Sequence, residues 1–176
     1  MRLVIPALLA VMTPAAADAQ PAAPAVAPVL GERIAGLGWM VGDWRGTGWT
    51  ILPDGSRSTF DSRETVTVRM HGEGLLVEGV HSATGHPDRI VHDAIGIISW
   101  DRRRNAVLMR TALAGGMAGD FPIEIRANGF AWRIEFPGGR IDYLAEYRDG
   151  AWVERGRRTG ADGRSVDFFE MTLRRQ

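Results

Sequence analysis

Three residues of this chain, Glu64, His81 and His92, combine types that can do chemistry near neutral pH. A carboxylate beside an imidazole can orient it as a general acid or base. Two imidazoles and a carboxylate can hold a metal and leave coordination positions open. The same three groups can contact a ligand, or simply satisfy one another's hydrogen bonds in a buried place. They are distant in sequence, so only a fold that lays successive segments side by side can bring them together.

The segments have the right character. From Gly42 onward apolar and polar residues alternate with period two, and turn residues punctuate the pattern at short intervals. About ten strands are predicted. Pro53-Asp54-Gly55 fits a three-residue hairpin loop, which sets Trp44 opposite Glu64, Gly46 opposite Ser62 and Gly48 opposite Phe60. Gly72-Glu73 as the next turn sets Glu64 opposite His81. A turn centred on His86-Pro87 sets His81 opposite His92. Trp44, Glu64, His81 and His92 then form a row across four strands, with opposed Cβ atoms about 4.5–5.5 Å apart.

The C-terminal half tests the same pattern. Two-residue turns at Asn128-Gly129, Gly138-Gly139 and Asp149-Gly150 set Ile125 opposite Trp132, Trp132 opposite Ala145 and Ala145 opposite Glu154. All three agree on one apolar face. The other face carries Glu124, Arg126, Arg133, Glu135, Arg140, Asp142 and Glu146, as expected of a sheet with one wet side. No helical pattern after residue 40 is long enough to cover the dry side. Closure into an antiparallel up-and-down barrel follows, with the last strand, Ser165 to Arg174, pairing with the first.

Trp44, Phe60, Phe121, Trp132, Tyr143, Tyr147 and Phe168 are then lumen candidates. Gly46, Gly48, Gly79, Gly96 and Gly156 on inner faces are expected to widen the cavity or relieve curvature. Glu154 and Glu170 fall together on the predicted inner face of the last two strands, a pair whose types could serve glycoside chemistry or lie solvated beside Arg174. The segment from Ala114 to Asp120 is glycine-rich but lacks the lysine and helix of a phosphate cradle, and reads as a loop or lid at one mouth.

Composition narrows the function. Lys+Arg and Asp+Glu both number 21, all the former being arginine, and the formal charge is zero. A nucleic-acid partner is not expected of so neutral a chain. Absence of lysine excludes a Schiff base and a P-loop; absence of cysteine excludes disulfides and thiolate chemistry. At the N-terminus Arg2 precedes an apolar stretch broken by Pro6 and Pro14, and Ala17-Asp18-Ala19 offers a cleavage site before Gln20. Residues 1–19 read as a signal peptide, residues 20–29 as a Pro/Ala linker, and residues 30–176 as the barrel domain. The apolar stretch is too short for a membrane span, and the chain is expected in the periplasm or outside the cell.

Gly42-Asp43-Trp44, following a short helical turn at Leu30 to Leu37, resembles the Gly-x-Trp signature that opens calycin and lipocalin barrels. The longer stretch Trp39 to Gly48, with Glu64, Gly96 to Asp101 and Glu170 to Arg174, is similar to a lipocalin-like family of exported bacterial barrels without assigned function. The resemblance implies structural roles for Gly42 and Trp44, and an arginine packed over the tryptophan. Arg174 is the matching residue, Arg175 the second choice. The opening strand is also similar to nitrobindin-like haem barrels, whose proximal histidine lies near the C-terminus. No histidine follows His92 here, so haem is not expected and no cofactor is assigned.

The combined expectation is an all-β, lipocalin-like barrel binding a small, largely apolar ligand in its lumen. Trp44, Glu64, His81, His92, Trp132, Tyr143 and Glu154 are the expected ligand contacts. An enzyme, metal-dependent or acid/base, built on Glu64, His81 and His92 is one alternative. A non-catalytic structural or interaction module is the other.

Overall fold

The computed structural model describes residues 29–176; the signal peptide expected over residues 1–19 and residues 20–28 of the expected linker lie outside the described residues. A 3-10 helix, Glu32–Met40, leads into ten strands. They are β1 Gly42–Ile51, β2 Arg57–Arg69, β3 Gly74–Ala83, β4 His86–Asp101, β5 Ala106–Leu113, β6 Ala118–Arg126, β7 Gly129–Phe136, β8 Gly139–Arg148, β9 Ala151–Gly160 and β10 Ser165–Arg175. Each strand pairs antiparallel with its neighbour in sequence, and β10 returns to β1, closing the barrel. Among the described residues no helix is long and apolar enough to cross a membrane.

The helix plugs one end. Ile34, Leu37 and Met40 project from it into the lumen and are buried. Trp39 adds a ring that stacks on Tyr147 and meets the edge of Trp152, with centroids 5.7 and 5.4 Å away. Trp44 is also buried there, its indole N–H donating to the Met40 carbonyl at 2.7 Å. A plug of this kind removes the open apolar end that a bare barrel would expose to water. The wet face behaves as predicted: Arg133 and Arg140 both pair with Asp142.

Several turns sit elsewhere than predicted, almost always by an even step. The first hairpin has the predicted loop, with Gly55 at φ +82° and Trp44 opposite Glu64. The second is longer: Met70, His71 and Gly72 all take positive φ, and Arg69 pairs with Gly74. His81 therefore faces Ser62, and Glu64 faces Gly79. Thr84-Gly85, not His86-Pro87, makes the third turn. Register shifts further along β3 and β4 absorb the difference, and His81 still faces His92.

In the C-terminal half Ala127-Asn128 forms the turn instead of Asn128-Gly129. Gly129 is a strand residue, and a Cβ there would collide with the Ala145 carbonyl of β8. Pro137-Gly138 makes the next turn, with Gly138 at φ +90°, the pairing of residues a type II turn requires. Ile125 thus faces Phe130, and Trp132 faces Ile123 and Tyr143. Asp149-Gly150 turns as predicted, both residues at positive φ, and sets Ala145 opposite Glu154. A slip of two keeps every side chain on its predicted face, which is why the barrel interior survives these corrections.

One error is odd-numbered. A bulge at Phe168 inserts a residue between the Asp167–Arg157 and Phe169–Gly156 pairs. Beyond it the inner face of β10 is Phe169, Met171, Leu173 and Arg175. Arg175, rather than Arg174, caps Trp44, its guanidinium 4.5 Å from the ring centroid. Arg175 also donates to the carbonyls of Trp39, at 2.6 Å, and Val41. Arg174 points outward toward the Asp149 carbonyl. Glu170 is likewise outside, bonded to Arg155 at 2.9 Å, so it forms no pair with Glu154.

Candidate functional site

Among the described residues no helix plugs the barrel's other end. Glu64 on β2 and Glu154 on β9 are both buried below it, at 6% and 9% exposure. Ser62, two residues before Glu64 on the same face, donates its hydroxyl to Glu64 Oε1 at 3.3 Å. His81 Nε2 lies 3.2 Å from the same oxygen. Glu64 Oε2 lies against Gly79, whose Cβ, if present, would fall 2.5 Å from it. The glycine admits the carboxyl into the wall.

Aromatic rings build two clusters above and around these carboxyls. On one side His81 stacks on Phe60, with centroids 4.4 Å apart and planes 2° from parallel, and His92 lies 4.7 Å beyond. On the other side Trp132 stacks on Tyr143 at 4.1 Å, with Phe121 tilted against Trp132 at 5.2 Å. Phe169 bridges the two, 5.8 Å from Phe60 and 6.1 Å from Tyr143. The Trp132 indole N–H is directed at Glu154 Oε1, 3.5 Å away. The lumen glycines hold few gaps: rings of Phe60, Tyr143 and Phe168 occupy the space that side chains at Gly48 and Gly156 would fill. Gly96 alone among the five keeps ordinary contact distance, 3.8 Å.

Burial sets the charge. It raises the Glu64 carboxyl to about 8 and lowers the His81 imidazole to about 4. The pair is therefore neutral at pH 7, joined by one hydrogen bond between Oε1 and Nε2. Burial, with repulsion from Glu64 added, lifts Glu154 to about 7. His92 is lowered by burial and by its neighbour His81. Burial lifts the Tyr143 hydroxyl as well. No arginine contributes to the shift of either glutamate. The lumen-side cations lie elsewhere: Arg33 over Trp100 and Arg175 over Trp44 at the plugged end, and exposed Arg158 at the rim over Phe136.

The structure thus brings Glu64, His81 and His92 together and places Trp132, Tyr143 and Glu154 in the same lumen. Trp44 stands apart, among the rings of the plugged end. Ser62 and Phe169 complete the site without having been singled out. Ser62 shares the face of Glu64 on β2 and is found by the same parity; Phe169 is hidden by the bulge. The loop after β5 is only four residues, Ala114 to Met117, too short to fold over the mouth as a lid. Chemically, the glutamate–imidazole pair can pass a proton, and the carboxyls can accept hydrogen bonds from a guest. Among the described residues no set of three or more His, Asp or Glu side chains is placed to hold a metal ion.

Fold and site together describe a calycin-like barrel: ten antiparallel strands, closed, plugged at one end and aromatic at the other. The structure of Rv2717c from M. tuberculosis is similar, with a TM-score of 0.63 at 13% identity over 84% of this chain and 99% of that one. The S-type phycobiliprotein lyase CPES from Guillardia theta is also similar, with a TM-score of 0.53 at 8% identity over 78% of this chain and 89% of that one. At such identities the likeness is one of fold. No protein-family model matches the sequence, and no curated protein matches it.

Proposed function

We propose that this protein binds a small, largely apolar ligand at the unplugged mouth of its barrel, after export to the periplasm or beyond. One observation carries the reading. Trp132, Tyr143, Phe168, Phe169 and His92 belong to the lumen side, yet each keeps part of its surface open to solvent. At the plugged end Trp44 and Trp152 are closed off, while Trp39 and Tyr147 beside them are half-buried. Half-open aromatic surface beside a few fixed polar groups is the usual make-up of a small-molecule site. The fold likeness to a barrel named as a phycobiliprotein lyase is compatible with this reading.

In this role the stacked rings supply contact area, and Glu64, His81, His92 and Glu154 supply orientation. Export rests on the N-terminal pattern alone. Native mass spectrometry of protein purified from its own compartment tests both points. The expected species is a chain beginning at Gln20 and carrying a small organic adduct that W132A loses. Repeated recovery of bare protein defeats the binding reading, and a chain retaining residues 1–19 defeats the export reading.

A further inference from the structure

Below the mouth lies a buried acid with no cationic partner among the described residues. Glu154 is nine-tenths buried, and its Oε2 has no hydrogen-bond partner among the described residues. Glu64 from β2 and Tyr143 from β8 lie close enough to feel its charge, and beyond Glu64 stand His81 from β3 and His92 from β4. β1, β7 and β10 contribute only glycine, aromatic and thioether groups at this level: Gly46, Gly48, Trp132, Phe169 and Met171. None of these neighbours is a cation at neutral pH. The Trp152 indole N–H, in a residue only 2% exposed, lies beside the same carboxyl and, like that of Trp132, favours its ionised form, although it falls outside strict hydrogen-bond geometry. A buried carboxyl held among indoles and a parallel Trp132–Tyr143 stack combines two features that favour an organic cation: an anion to pair with and ring faces to lie on.

Resting on the lumen-binding reading, we propose that the mouth takes a protonated aromatic amine, its ammonium at the Glu154 carboxylate and its ring against the Trp132–Tyr143 stack. Glu64 lies close enough to repel the Glu154 charge and shares the cation. An ammonium there stabilises the ionised form of both carboxyls, so binding releases protons to solvent and strengthens as pH rises.

Calorimetric titration of the full chain with tryptamine, neutral tryptophol and anionic indole-3-acetate tests this. Tryptamine should bind roughly tenfold tighter than tryptophol at about pH 8, and indole-3-acetate weakest. The tryptamine preference should shrink toward one at about pH 5.5, where the carboxyls are protonated. E154Q should remove most of the preference; if that variant does not fold, the pH series on the unaltered chain decides. Equal affinity for tryptamine and tryptophol at about pH 8, or a preference that does not fall with pH, overturns the amine inference while tryptophol binding keeps the lumen reading. Failure of all three probes to bind overturns the amine inference too, and leaves the lumen reading to the native mass measurement.

Discussion

His81 Nε2 lies 3.2 Å from Glu64 Oε1 although the two residues are not cross-strand partners. Glu64 faces Gly79, and His81 faces Ser62. The contact runs diagonally, and the missing side chain at Gly79 gives the carboxyl room to lie along the wall. Diagonal neighbours on one face stay within reach of long side chains, so the pair forms despite a register two residues from the one predicted.

The pair makes stability depend on pH in a definite direction. The Glu64 carboxyl rises from an ordinary 4.5 to about 8, so between those values the folded protein holds a proton the unfolded chain has lost. Its contribution is complete below pH 4.5 and disappears as pH climbs through 8. His81 works oppositely: lowered from 6.5 to about 4, it favours folding above pH 6.5 and disfavours it as pH falls toward 4. Above pH 6.5 only the carboxyls matter. Thermal melts should therefore show the melting temperature of the unaltered chain falling from pH 6.5 to 8 relative to E64Q. A constant difference between the two across that range rules the neutral pair out.

Arg175 should matter far more than its neighbour. It lies over Trp44 and donates to two backbone carbonyls of the helix–strand junction, whereas Arg174 makes one long contact at the surface. R175A is expected to destabilise by about 2 kcal/mol. R174A is expected to stay within about 0.5 kcal/mol. Urea denaturation of the two variants distinguishes them, and equal losses would refute the assignment.

Two inward glycines should respond very differently to a methyl group. At Gly46 a Cβ would strike the Thr172 carbonyl of β10, backbone that cannot yield without opening the β1–β10 seam. At Gly96 the same atom finds neighbours at 3.8 Å. G46A should cost about 3 kcal/mol, through overpacking. G96A should change stability by less than about 0.5 kcal/mol. Denaturation midpoints report both.

Glu170 should be dispensable. Its pair with Arg155 is partly exposed on the outer face, where such contacts contribute about 0–1 kcal/mol. E170Q should leave both stability and any co-purifying adduct unaltered. An adduct lost from E170Q would return this residue to the site and contradict the outward placement.

The outline of the barrel was legible because alternation and turns are local properties. Asp149-Gly150 could be placed from sequence, since both residues occupy positive φ and nothing else at that point needs glycine. Gly129 looks the same in sequence but is required by its approach to Ala145 in another strand, which no local pattern reveals. Pro137-Gly138 competed with Gly138-Gly139, and the proline decides it. These ambiguities move pairs by two and leave faces intact, so Glu64, His81, His92, Trp132, Tyr143 and Glu154 were all assigned to the lumen from sequence. The Phe168 bulge carries no glycine or proline and follows from closure of β9 against β10. It alone misdirected Glu170 and Arg174 and concealed Phe169.

Both ends of the described chain lie at the plugged end. Gly31 donates its amide to the Gly72 carbonyl in the loop between β2 and β3, and the Gln176 amide donates to the Asp43 carbonyl at the start of β1. The two ends can therefore be joined by a short linker and the chain reopened at a turn on the opposite rim. Anchoring the barrel to a sensor surface through either end also presents the aromatic mouth to solution, a favourable orientation for an immobilised detector of small molecules.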